Sequence, residues 1–386
     1  MIKIVSKQYG LPEPWNWNPP AGIRLVDVRT IEELDNYESE WNELFSKAGT
    51  LTPILSFPWM RAFFKHQVHS PEHWLCLFIY ENDCLTGIMP LMSSYAFRVL
   101  GFSLRLFKLP YHYAHTSGTD CFVLPGHEKN FGLFMGYLNS LPRSIPCLSL
   151  KHLQAHCVSV RYLNTGKHKL SFVQKSAGTE AVLPLPKTSA EYSTGLAGKF
   201  RQNLRRAARD LEKLSEVRFL YCENSRPANE NSARFLDVEQ RNWKGERRTT
   251  IRNFAGSAAV FEDAATGLTA LNQMRFSFLE TGDRTIAAHY AMRKDRTMYI
   301  LKMAYDEEFT ACSPGNLLML KVIEAACDSG EFDEINYFSD PPILAKWNVQ
   351  HRPIWHLIVF PKIPLLSPLL RLVIGSGKVH NFDIPL

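Results

Sequence analysis

The stretch from Thr285 to Trp347 constrains the fold more than any other part of this 386-residue chain. Two apolar runs, Thr285–Arg293 and Thr297–Tyr305, flank the polar trio Lys294-Asp295-Arg296, which predicts a pair of strands. A loop over Asp306–Pro314 carries the chain to Ser313-Pro314-Gly315-Asn316, and the spacing predicts a helix over Gly315–Ser329. Glu334–Phe338 reads as the next strand. The first N–H groups of a helix have no internal partner and sit at the positive end of its dipole, so this turn can hold an anionic group such as a pyrophosphate. Gly315 lets the backbone approach closely. The same Ser-Pro-Gly is also a common cap and turn.

Mixed α/β patterning extends through both halves. Ile31–Ala48 carries Leu34, Tyr37, Trp41, Leu44 and Phe45 at helical spacing, and Phe57–Val68 opens a second helix with Pro58. Trp74–Tyr80 and Cys84–Ser94 read as strands around the turn Glu81-Asn82-Asp83. Arg98–Leu109, Asp120–Leu124 and a strand near Leu148 follow, with a helix at Cys157–Leu163. The segment Lys167–Pro186, with Gly178, Pro184 and Pro186, reads as a boundary between domains. Beyond it, Lys199–Leu214 is the strongest helix pattern in the chain. Its apolar stripe is Phe200, Leu204, Ala207, Ala208, Leu211 and Leu214. Glu216–Cys222 is a strand, Ser232–Asn242 a helix, Ala264–Leu279 helix then strand, and Trp355–Phe360 a last strand. The order helix–helix–strand–strand–strand recurs loosely, as a duplicated α/β fold would give.

Length favours two or three domains. Lys plus Arg is 44 against 38 for Asp plus Glu, a net charge of +6. So small an excess does not fit a DNA-binding protein; it fits one local basic site for an anionic partner. Much of it sits on one helix, where Lys199, Arg201, Arg205, Arg206, Arg209 and Lys213 meet only Asp210 and Glu212. The first ten residues lack the apolar core of a signal peptide. The nearest approach to a membrane span, Ile354–Gly375, is broken by Pro361, Lys362, Pro364, Pro368 and Arg371. It reads either as a strand with a packed tail or as a membrane-surface or partner-binding segment built on Leu365, Leu366, Leu369, Leu370 and Val373. The eight cysteines form no Cys-x-x-Cys pair and read as reduced thiols of a cytoplasmic protein. His152 with His156, and His112 with His115, lack a third ligand, so no metal site is expected.

Several of these segments together resemble a known family. Ala304-Tyr305-Asp306, Ser313-Pro314-Gly315, the helix to Gly330 and Lys346-Trp347 look like the acyltransferase domain of the CelD-like branch of the GNAT (N-acetyltransferase) superfamily. The hairpin from Gly282-Asp283 to His289, the basic helix from Lys199 and Trp243-Lys244-Gly245 fit as well. Phe57-Pro58-Trp59 and Ile88-Met89-Pro90-Leu91 add a looser match in the first half. That branch is similar to Fem-type transferases with two GNAT-like domains in tandem. Relatives tend to have an acidic residue where Asn336 stands here.

The resemblance implies an α/β (α+β) fold of two tandem GNAT-like domains, each a mixed, mostly antiparallel sheet flanked by helices. The expected divisions are an irregular arm at 1–22, an N-terminal domain at 23–185, an acyltransferase domain at 186–362 and an apolar tail at 363–386. It implies an acyl-CoA co-substrate whose pantetheine arm pairs with Thr297–Tyr305, including Ala304, and whose pyrophosphate sits on Ser313, Pro314, Gly315 and Asn316. The expected activity is acyl transfer to a polar acceptor such as an amino sugar or glycan precursor, by direct attack in a ternary complex. Amide formation needs a base for the amine and an acid for the leaving thiolate. His289 is the first candidate base, or a structural histidine at the edge of the core. Tyr305 is the candidate acid, or a packing residue. Asp306 and Asp340 could orient the amine or be turn residues. Lys346 could bind a phosphate or carboxylate or be solvated. Arg201 and Arg205 on the basic helix are candidate substrate ligands, with Lys244. Trp243 is either core or an aromatic wall for an acceptor sugar. Cys312 adjoins the phosphate loop but has no neighbouring histidine to activate it. Two alternatives stay open: a Fem-like transferase using aminoacyl-tRNA, whose donor would demand a broader basic surface, and a non-catalytic binding or scaffold protein.

Overall fold

The computed structural model describes residues 3–4, 17–49, 52–68, 73–99, 102–110, 120–141, 144–242, 245, 248–364 and 366–375. Trp243 and Lys244, most of the N-terminal arm, and His112 and His115 lie outside them. The chain forms two units, one of residues 1–178 with 353–386, the other of residues 179–352.

The first unit opens with β1 (Lys3–Ile4) and β2 (Ile23–Val28), then α1 (Ile31–Asp35), α2 (Glu38–Lys47) and α3 (Phe57–Gln67). The single helix expected over Ile31–Ala48 is thus two, interrupted at Asn36-Tyr37. The break lets the Tyr37 ring stack on Phe78, with centroids 4.5 Å apart, while Trp41 and Phe45 enter the core. β3 (His73–Glu81) and β4 (Cys84–Val99) are joined at Asn82 and Asp83, both with positive φ, as a two-residue hairpin requires. β5 (Phe102–Lys108), β6 (Phe122–Val123), α4 (Asn130–Ser140), β7 (Ile145–Leu153) and α5 (Val158–Asn164) complete this run. Neighbouring strands are antiparallel except β5 and β7, which run parallel from Leu104 opposite Ile145. His152 lies in β7 with its ring against His356, so it shares no helix face with His156.

β8 (Leu170–Pro184) follows, over the segment expected to hold the boundary between domains. Its exposed middle and Gly178, at φ +93°, disguise a continuous strand that carries the chain into the second unit.

The second unit continues with α6 (Ser189–Gly195), α7 (Gly198–Glu212), β9 (Val217–Leu220), α8 (Ala228–Gln240), α9 (Ser257–Ala270), β10 (Met274–Thr281), β11 (Arg284–Lys294) and β12 (Thr297–Tyr305). A 3-10 helix, Glu307–Cys312, leads into α10 (Pro314–Ser329) and β13 (Glu334–Asn336), and a second, Pro342–Lys346, follows. The strand order is β9-β10-β11-β12-β13 and then the Thr179–Pro184 part of β8. All neighbours are antiparallel except β12 and β13. This is the plan of the first unit again: a strand, helices, three antiparallel strands, a helix, and a strand parallel to the third. Its core gathers Leu204, Ala207 and Leu211 of α7, Leu318, Val322 and Ile323 of α10, and Trp347, against Leu279, Ala287 and Ile300 of the sheet.

The chain returns to the first unit within β14 (Gln350–Pro361), whose Trp355–Val359 part pairs antiparallel with β7. The residues from 353, expected partly in the second domain and partly in a tail, therefore belong to the first unit. The tail is α11 (Leu366–Gly375), which buries Leu370 with Leu104, Leu106 and Phe360 and exposes Leu369 and Leu372. No helix among the described residues is long and apolar enough to cross a membrane. The eight cysteines are free thiols.

Candidate functional site

The second unit opens its sheet at one place. β12 and β13 pair in register only over Thr297–Tyr299 with Glu334–Asn336. Beyond that, β12 runs on to Tyr305, while the chain after β13 stays with β8: Tyr337 donates its N–H to Ala181 at 3.0 Å, and Ala181 donates back to Ser339 at 3.1 Å. The two parallel strands thus part like a wedge. Asn336 sets the bend on one side. It is 2% exposed, and its Oδ1 accepts the Phe338 N–H at 2.7 Å, which holds Phe338 at φ +58°. The Phe338 ring lies against Tyr299, centroids 5.2 Å apart, at the apex. On the other side the register with β11 steps from Tyr290–Lys302 to Ala291–Ile300, leaving Leu301 as a bulge.

β12 ends against the start of α10. Ser313 takes the left-handed conformation, φ 47° and ψ 51°, and Pro314 begins the helix. No side chain caps that end. The N–H groups of Asn316 and Leu317 both reach back to the Ser313 carbonyl, at 3.0 and 3.1 Å. Gly315 packs on the Tyr305 ring so closely that a Cβ there would lie 3.2 Å from Cδ1. Ala304, Tyr305, Ser313, Pro314, Gly315 and Asn316 are therefore brought together. Burial, and then the nearby Glu307 carboxylate, push the Tyr305 phenol above its ordinary value, so it stays protonated.

Asp306 anchors this corner rather than facing a substrate. It is 2% exposed; its carboxylate accepts from Arg241 at 2.6 Å and from Arg284 at 2.7 and 3.0 Å, and caps the following turn through the Glu308 N–H. Asn242 adds a 3.0 Å bond to the Tyr305 carbonyl.

His289 is poorly suited to accept a proton. It pairs with Ser277 and Met303 in the middle of the sheet and is 1% exposed. Its Nδ1 is buried without a hydrogen-bond partner. Desolvation lowers its pKa to about 3, so the ring is neutral at pH 7 and a weak base. The apolar neighbours in Ala287-Ala288-His289-Tyr290-Ala291 carried the signal for burial.

Asp340 follows two residues after Phe338, beyond the segment that stays with β8. Its Oδ2 accepts from the Thr179 hydroxyl and from His351 Nδ1, both at 2.6 Å. His351 was not foreseen. Eleven residues and a 3-10 turn separate it from Asp340, and no spacing rule joins them.

Arg201, Arg205 and Lys346, among the predicted substrate residues, lie in the same unit. Arg201 and Arg205 line a cleft of about 280 Å³ between α6, α7 and α10, walled by Leu196, Leu204, Leu317 and Leu320. Lys346 is exposed, with its ammonium 6.0 Å from the Phe200 ring centroid. Lys199, Arg205, Arg206, Arg209 and Lys213 of the basic helix face solvent. Cys312 is buried. Among the described residues no group of His, Cys, Asp or Glu is arranged to hold a metal ion.

Residues 198–338 match the family model described as an acetyltransferase (GNAT) domain. The match begins at α7 and ends at Phe338, so it contains the wedge. Solved structures resemble most of the chain. The crystal structure of FemX is 10% identical with a TM-score of 0.55, covering 90% of this chain and 99% of that one. The C-terminal domain of a protein assigned as a lysylphosphatidylglycerol synthetase from Agrobacterium fabrum is 10% identical with a TM-score of 0.53, covering 89% and 96%. At such identities these two show a shared fold. No curated protein matches the sequence.

Proposed function

We propose that this chain, whose residues 198–338 in the second unit match the acetyltransferase (GNAT) domain, is an acyl-CoA-dependent N-acyltransferase. The acceptor is a polar amine such as an amino sugar or glycan precursor. The setting is the cytoplasm and the pathway exopolysaccharide or cell-envelope synthesis. One observation carries the reading. β12 leaves β13 after Tyr299 and runs with that edge unpaired by β13 to a helix start that no side chain caps.

An extended thioester arm fits the edge of Ile300–Tyr305 as a further strand would. The start of α10 suits the diphosphate, because its N–H groups and dipole favour negative charge and Gly315 presents no side chain. A backbone N–H of β12 near the Leu301 bulge can donate to the carbonyl oxygen as it gains charge. Tyr305, protonated and packed on Gly315, is placed to protonate the thiolate. The acceptor amine attacks directly, since Cys312 is buried.

A second reading, transfer from an aminoacyl-tRNA, is favoured by one feature, the exposed cations of α7. Calorimetric titration separates the two. Acetyl-CoA binding at micromolar to millimolar concentration supports the first. No heat with acetyl-CoA, together with tRNA binding that weakens steeply between 50 and 200 mM salt, supports the second (slopes on the order of those for several phosphate contacts).

A further inference from the structure

We propose that the cleft between α6, α7 and α10 is a second ligand site, and that it takes a small amphipathic anion: a short alkyl chain carrying one carboxylate or phosphate head. The proposal stands apart from the acyl-transfer reading and does not depend on it.

Three observations carry it. The first is the make-up of the walls. The cleft holds about 280 Å³ and is lined by Leu196, Leu204, Leu211, Leu279, Leu317 and Leu320. These side chains come from the end of α6, from α7, from β10 and from α10, so the fold itself builds the cavity. Ala208 also lines it, about one turn from both Leu204 and Leu211 on α7, and is half-buried. Its methyl leaves open the space that a larger side chain would fill. Apolar walls with a few placed polar groups are the ordinary composition of a small-molecule site.

The second is charge. Arg201 and Arg205 are one turn apart on the same face of α7, and both line the cleft. Neither guanidinium has an ion-pair partner among the described residues. The nearby acids are committed or distant. Asp210 is bonded to Lys213 at 2.6 Å, and Glu324 of the cleft to Lys321 at 3.1 Å. Glu212 is exposed and lies seven residues beyond Arg205, about 10 Å along the helix axis. The Arg201–Arg205 end therefore offers two cations without a carboxylate, and guanidiniums fork onto carboxylate or phosphate oxygens.

The third is separation from the anion-binding turn. None of Tyr305, Ser313, Pro314, Gly315, Asn316 or Phe338 lines the cleft. Leu279 pairs with Ala287, which pairs with Tyr305, so Leu279 lies two strands away from the β12 edge. The cleft meets α10 along one face, at Leu317, Leu320, Lys321 and Glu324. Its occupant is thus a compound other than an acyl donor held at β12.

The test is calorimetry on the full chain with acetate, hexanoate, octanoate, decanoate, octyl phosphate and octylamine. Wild type is compared with Arg201→Gln, Arg205→Gln and the cleft-filling Ala208→Phe. Octanoate or octyl phosphate is expected to bind one to one, the tighter of them naming the head group, while acetate and octylamine do not bind. Affinity should rise up to about fourfold per methylene from hexanoate and stop rising once the cleft is full. Each arginine substitution should weaken binding about tenfold. Ala208→Phe should abolish it, with thermal unfolding of the free protein and acetyl-CoA affinity unchanged. Octylamine binding as tightly as octanoate, arginine variants that bind like wild type, or no binding of either anion overturns the proposal. Loss of acetyl-CoA affinity in folded Ala208→Phe would assign the cleft to the acyl donor and overturn it too. A wild type that binds octanoate but not acetyl-CoA refutes the acyl-CoA reading and leaves this one standing.

Discussion

Gly315→Asp should move stability and binding in opposite directions. Gly315 is the second residue of α10, and its conformation is not the left-handed one that would demand glycine. What the position lacks is a side chain, and the nearest atoms to a new Cβ are Tyr305 Cδ1 at 3.2 Å and Tyr305 Cβ and Cγ at 3.7 Å. The Tyr305 ring must shift by a few tenths of an ångström. Replacing glycine in a helix gains about 0.5–1 kcal/mol in the folded state, which offsets that strain. An acid in the first turn gains about another 0.3–1 kcal/mol from the dipole. In the free protein Gly315→Asp is therefore expected to be neutral or up to about 1 kcal/mol more stable. A diphosphate on the same helix end meets the new carboxylate as a like charge. At about 5 Å and an effective dielectric constant of about 20, each such pair costs about 3 kcal/mol, or about 100-fold in affinity. Gly315→Ala isolates the steric part and should weaken binding less than about fivefold. Thermal unfolding without ligand and calorimetry with acetyl-CoA read the two effects separately. An Asp variant that binds acetyl-CoA like wild type while folding equally well would refute the assignment of this turn.

Three further outcomes follow from the same corner of the molecule. Asp306→Asn leaves Arg241 and Arg284 facing a neutral amide; because both guanidiniums are more than one-third exposed, the expected loss is about 2 kcal/mol rather than the 3–5 of a sealed pair, measured by urea unfolding. Burial holds His289 at about pKa 3 against an ordinary 6.5, so below pH 6.5 the unfolded chain gains a proton that the folded chain refuses, and stability present above pH 6.5 drains as pH falls toward 3. Between pH 6.5 and 5 the wild type should lose about 2 kcal/mol that His289→Gln keeps, and parallel stability curves for the two would contradict this origin. Tyr305→Phe keeps the ring against Gly315 and removes the proton donor, so kcat should fall about 10- to 100-fold with acetyl-CoA affinity unchanged. Equal turnover by the two proteins would exclude the phenol as the acid.

The parts of the fold legible in the sequence were those with strong local period. β12 spans the expected Thr297–Tyr305, and α10 begins one residue before the expected Gly315, at Pro314. The repeated element order was visible too, because each unit uses the same succession of helices and antiparallel strands. Misses arose where tertiary packing overrides local pattern. The helical period of Ile31–Ala48 continues across Asn36-Tyr37, yet the chain breaks there and Tyr37 stacks on Phe78 of β3. Gly178 and the polar residues around it interrupt the apolar pattern and yet lie within the continuous strand β8. The site divides in the same way. Ser313–Asn316 and Tyr305 meet because a strand, a short loop and a helix are consecutive. The Asp340–His351–Thr179 cluster needs residues 161 positions apart to meet, and sequence spacing is blind to that. Asn336 departs from the residue type expected at its position, and its amide holds the bend that opens the wedge.

A crystal structure with acetyl-CoA tests the central claim most directly. The account predicts the pantetheine arm along the edge of Ile300–Tyr305 and the diphosphate on the first turn of α10 at Pro314–Asn316. Acetyl-CoA bound elsewhere on the chain, with the wedge between β12 and β13 unfilled, would contradict it.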